Sequence, residues 1–93
     1  MLADAASLME ENAHRQALEA MWRERLVNTR TRYEAAKATV QAARELQSQI
    51  PSPDGNFALV HALGAENRAL AEFNRVLIIF VDLVLHGKAP EED

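Results

Sequence analysis

The chain has 93 residues, a formal net charge of −4, few aromatic residues and no cysteine. That length makes one small domain at most, with a marginal hydrophobic core, and the missing cysteine excludes disulfides and thiolate zinc sites as its support. The acidic balance argues against nucleic acid and against a polybasic membrane contact, because both depend on basic residues.

The first element expected is a long helix over about residues 4–50. This stretch holds no glycine or proline and is dominated by Ala, Glu, Arg, Gln and Leu, all of which favour helix. Asp4 offers one N-cap, and Ser7-Leu8-Met9-Glu10 matches a capping box one turn later. Val27-Asn28-Thr29-Arg30-Thr31 is the weakest stretch, where β-branched residues lower the propensity and a kink is the foreseeable defect. The opening residues carry no basic lead and no sustained apolar run, so a secretory signal is not expected.

A turn is expected at residues 51–56, Pro51-Ser52-Pro53-Asp54-Gly55-Asn56. Pro51 drives Ile50 toward extended geometry and ends the first helix. Ser52 then reads as an N-cap with Pro53 at the first helical position. The second helix is expected over about residues 53–86, closed by Gly87 and followed by a loose acidic tail at 88–93. The fold class is therefore all-α, a single antiparallel two-helix hairpin spanning residues 1–93.

Spacing assigns the faces. On the first helix, Leu18, Trp22, Leu26, Thr29, Tyr33, Ala36, Val40 and Ala43 form an inward stripe, with Arg25 and Arg32 at its border. On the second, Leu59, Leu63, Leu70, Phe73, Leu77, Phe80 and Val84 alternate three and four apart and are read as its partner seam. Val76 to Leu85 is apolar all round apart from Asp82, and it is far short of the ~20 residues a spanning helix needs. One partner helix cannot cover such a surface. The expected cover is a second copy, giving a homodimeric four-helix bundle with coiled-coil packing. Its interface is expected to involve Phe73, Val76, Leu77, Ile79, Phe80, Leu83 and Val84. The competing expectation is that the start of the first helix folds across this surface.

Three polar groups deserve weighing as chemistry. Glu11 and His14 have the Glu-x-x-His spacing of carboxylate metal sites in bundles, and Glu66 is a further inward carboxylate. Hairpin register places His14 opposite the tail, however, and the same spacing is common on polar helix surfaces. Asp82 and His86 lie one turn apart with His61 on the same side, but no nucleophile accompanies them. Glu66, Asn67 and Asn74 are expected as buried polar residues on the inward face, where such groups need partners. Asn74 would lie level with Thr29, Arg32 and Tyr33, in a layer that fixes register.

The functional expectation is a non-enzymatic, self-associating module for protein–protein interaction. It would be cytoplasmic, most simply a dimer, with a further protein partner open and no cofactor, nucleic acid or membrane involved. The alternative is a bundle holding a metal ion or small ligand between its helices.

Overall fold

A computed structural model describes the backbone of residues 2–90 and the side chains of residues 5–90. It consists of α1, Leu2–Gln49, and α2, Pro53–His86, packed against each other as an antiparallel hairpin. The molecule measures 73 × 19 × 17 Å. The long dimension is that of α1 itself, since 48 helical residues at about 1.5 Å each span ~72 Å.

The connection obeys the turn chemistry. Ser52 has an extended backbone, and its Oγ accepts a hydrogen bond from the Gly55 N–H at 2.9 Å, satisfying one of the free donors at the start of α2. Pro53 occupies the first turn, where it has no N–H to lose. Gly55 is packed directly against the Gln47 side chain, so a methyl group there would force Gln47 to move. At the far end Gly87 adopts φ 64°, a left-handed conformation that suits glycine. Its N–H donates to the Leu83 carbonyl at 3.0 Å, and the Lys88 N–H reaches the Asp82 carbonyl at 3.3 Å.

Helix α1 is continuous through residues 27–31. The threonine hydroxyls are satisfied within it: Thr29 Oγ1 donates to the Leu26 carbonyl and Thr31 Oγ1 to the Val27 carbonyl, each at 3.0 Å. Their hydroxyls are absorbed by the helix instead of competing with it. The capping box at Ser7 does not form, because α1 already runs from Leu2 and Ser7 lies inside it. Of the expected tail, residues 88–90 are non-helical and residues 91–93 lie outside the described residues.

The core sits toward the open end of the hairpin, along the C-terminal half of α2. Trp22 (1% exposed), Val76 (1%) and Leu83 (2%) form its buried centre, with Leu18, Leu26, Ile79 and Phe80 packed around them. Val40 and Ala62 continue the contact toward the turn. Tyr33 stacks on Phe73 with ring centroids 6.1 Å apart and planes 9° apart, which fixes the register at mid-hairpin. The inward stripe of α1 is the expected one, extended to Gln47.

The seam of α2 differs from expectation. It runs through Leu59, Ala62, Glu66, Ala69, Phe73, Val76, Phe80 and Leu83, again three and four apart. Four of the seven expected positions, Leu63, Leu70, Leu77 and Val84, stand one residue further on and lie on its flank. The cause is the large indole of Trp22, which fills the space at the level of Val76 and Leu83 and draws those two residues inward. Nor does the start of α1 fold back over α2. Residues 5–17 are exposed throughout, and those before Arg15 project beyond the point where Arg15 meets Gly87.

Candidate functional site

The polar candidates do not assemble. Glu11 and His14 lie on exposed turns of α1 and, with Asn12 and Arg15, edge an open cleft against Gly87 and Ala89. Glu66 is half-buried on the α2 seam. The Tyr33–Phe73 contact puts Glu66 nearly seven helical turns from His14, about 35–40 Å along the hairpin. The three residues cannot share an ion within one chain. Among the described residues no group of three or more His, Cys, Asp or Glu side chains could hold a metal. His61 is likewise separated from Asp82 by 21 residues of one helix, about 30 Å, so it cannot join the Asp82–His86 pair.

Asn67 and Asn74 are exposed, in contradiction to the buried polar layer expected from sequence. The seam passes one position earlier, at Glu66 and Phe73, and carries both asparagines to the outside. Thr29 is buried, but its hydroxyl is satisfied by its own helix at Leu26.

One side of the hairpin concentrates basic charge. Arg25, Asn28, Thr29 and Arg32 of α1 face Arg68, Glu72 and Arg75 of α2 across a shallow groove. The Arg25 guanidinium lies 4.4 Å above the Trp22 ring and covers it while reaching water. Glu72 accepts from Arg75 at 2.7 and 3.0 Å. That hydrogen bond, opposed by desolvation and helped by the charges of Arg75 and Arg32, holds the Glu72 carboxyl below its ordinary pKa. On the opposite border Arg23 sits 5.5 Å from the Phe80 ring centre and Lys37 5.6 Å from that of Tyr33.

The expected interface residues divide. Val76 and Leu83 are core and have no surface to offer a second copy, while Phe73, Ile79 and Phe80 are half-buried within the hairpin. Only Leu77 and Val84 of that set are exposed. Open apolar surface is scattered over α1, at Leu8, Met9, Met21, Val27 and Leu46, and is aligned in a row on α2. Phe57 (76% exposed), Val60, Ile78 (62%), Val81 and Leu85 (68%) are all uncovered. With Gly64, Asn67, Ala71 and Asn74 they form an unbroken row, 57-60-64-67-71-74-78-81-85, whose steps alternate three and four. Apart from the half-buried Gly64, every member of the row is exposed. Leu63, Leu70, Leu77 and Val84 border it on one side, and His61, Arg68, Arg75 and Asp82 on the other.

Thus α2 carries two interleaved heptad rows, one spent on α1 and one facing outward. Phe57, Val60, Ile78, Val81 and Leu85 were the residues to find, and the signal was present in the sequence as this second row. Among the described residues no helix is long and apolar enough to cross a membrane. The chain matches no protein-family model, no curated protein and no solved structure.

Proposed function

We propose that the chain is a non-enzymatic helical module that associates with a second copy of itself, through the outer face of α2, to form a four-helix assembly. The observation that carries this reading is the exposed row from Phe57 to Leu85. Scattered exposed apolar residues are ordinary, whereas Phe57 and Val60 at one end and Ile78, Val81 and Leu85 at the other are aligned on one helical face, with small and polar residues between them, as a site of association requires. A period of alternating threes and fours is what a packed helix presents to another helix.

Size supports the reading. Phe57, Val60, Leu77, Ile78, Val81, Val84 and Leu85 each leave more than a third of their surface open. At roughly 60–100 Å² apiece they offer about 500 Å² per copy, hence about 1,000 Å² for a pair. That reaches the lower bound of ~1,000 Å² for a specific interface. The exposed apolar residues of α1, Leu8, Met9, Met21, Val27 and Leu46, by contrast, share no single row of alternating threes and fours and stand among Glu, Arg, Lys and Gln. A cytoplasmic setting belongs to the proposal, being consistent with the absence of cysteine.

Light scattering across micromolar concentrations tests the reading. The expected result is a mass twice that of the 10.4 kDa chain. A monodisperse monomer that retains full helicity would sink it.

A further inference from the structure

We infer that the two copies pair antiparallel, α2 against α2, about a two-fold axis passing the helix near residues 72 and 73. This inference rests on the self-association just proposed and adds the partner's orientation. The exposed row, set against its own reverse, carries this orientation. Antiparallel pairing sets each position of one heptad class opposite one of the other. The layers then become Val60 with Leu85, Gly64 with Val81, Asn67 with Ile78, and Ala71 with Asn74.

In three of the four layers, a small or polar residue meets a larger one, so the separation of the helices stays nearly constant along the seam. Parallel pairing of the same row would instead set Gly64 against Gly64, one turn from Val60 against Val60 and two turns from Phe57 against Phe57. That alternation leaves a void in a contact that needs close packing. The borders agree with the antiparallel axis. On the apolar border, Leu63 falls level with Val84 and Leu70 with Leu77. On the charged border, His61 falls level with Asp82, a complementary pair whenever the imidazole is protonated.

The same symmetry brings Arg68 level with Arg75 of the other copy, and this repulsion works against the pairing. Glu72, hydrogen-bonded to Arg75 at 2.7 Å, partly offsets it. Added salt screens what is left, so the antiparallel dimer tightens as ionic strength rises.

A chain without cysteine makes the test direct. Val60→Cys and Leu85→Cys are prepared as separate full-length proteins, checked for helicity by circular dichroism, and treated with a short bis-maleimide cross-linker. Antiparallel pairing predicts a covalent dimer when the two are mixed and loss of that band with either protein alone. Within one dimer, like positions would then stand roughly 40 Å apart. Gly64→Cys mixed with Val81→Cys repeats the test should either first variant fail to fold. Self-cross-linking of Leu85→Cys would establish parallel pairing and overturn the inference while leaving self-association intact. No cross-link in any mixture, with the uncross-linked proteins dimeric by light scattering, places the contact on another face and also overturns it. Monomers throughout would refute self-association itself.

Discussion

Replacing Trp22 with Phe sets two effects of similar size against each other. Trp22 is 1% exposed, at the centre of the core, yet its Nε1 is buried without a hydrogen-bond partner. Truncation to Ala removes the whole side chain and costs about 3–5 kcal/mol, comparable to the entire stability of a domain this small. Trp22→Ala is therefore expected to unfold. Phe keeps most of the apolar contact with Leu18, Leu26, Val76 and Leu83. The lost ring area and the small cavity together cost about 2 kcal/mol, and a weaker cation–π contact with Arg25 adds ~0.5 kcal/mol. Against this, removing an unsatisfied buried N–H returns about 1–3 kcal/mol. Trp22→Phe should accordingly lie within ~1.5 kcal/mol of the parent protein. Urea unfolding followed by far-UV circular dichroism, at one fixed protein concentration because association is linked to folding, measures the difference. A loss of 3 kcal/mol or more would mean that the indole N–H has a partner in solution, and the reasoning about this core would fail.

Other substitutions probe the caps, the outer face and the one shifted carboxyl. Gly87→Ala should cost about 1–2 kcal/mol in thermal or urea unfolding, because φ 64° crowds any Cβ and Arg15 closes the space at 3.3 Å. Gly64→Ala should stabilise the hairpin by about 0.5–1 kcal/mol when measured in an Ile78→Glu background, since its Cβ would meet only Arg68 at an ordinary 3.5 Å. Loss of stability there would show a backbone demand that the structure does not contain. Glu72→Gln should change neutral-pH stability by no more than ~0.5 kcal/mol, the pair with Arg75 being exposed and screened. Because the folded carboxyl is held below its ordinary pKa, that contribution is present above the ordinary carboxylate range and disappears as pH falls through the folded value. The parent and variant unfolding curves should therefore converge in acid.

The hairpin was legible in the sequence because its signals are local. Pro51, Ser52 and Pro53 specify one turn, Gly87 specifies one stop, and the polar outer face of α1 leaves a single choice of inward stripe. The rotation of α2 was not legible, because its apolar residues surround the helix and permit two seams one position apart. Only the partner decides between them. Trp22 selects Val76 and Leu83, and that selection carries Asn67 and Asn74 from the expected core to the outer row. The same degeneracy hid the exposed face: Ile79 and Leu83 looked like surplus apolar surface, whereas Ile78, Val81 and Leu85 are the surplus. The capping box failed for a different reason, since nothing local at Ser7 prevents helix from extending back to Leu2.

The central claim is that the row from Phe57 to Leu85 joins two copies, and sedimentation equilibrium on Ile78→Glu beside the parent protein tests it most directly. Ile78 is 62% exposed in the hairpin, so a carboxylate there costs the single chain little, but between copies it loses water and faces only the neutral Asn67 of the other copy. The account predicts a parent mass of twice 10.4 kDa and an Ile78→Glu mass of 10.4 kDa, with the helical circular dichroism signal retained in both. An Ile78→Glu protein that remains a dimer of undiminished affinity would contradict it.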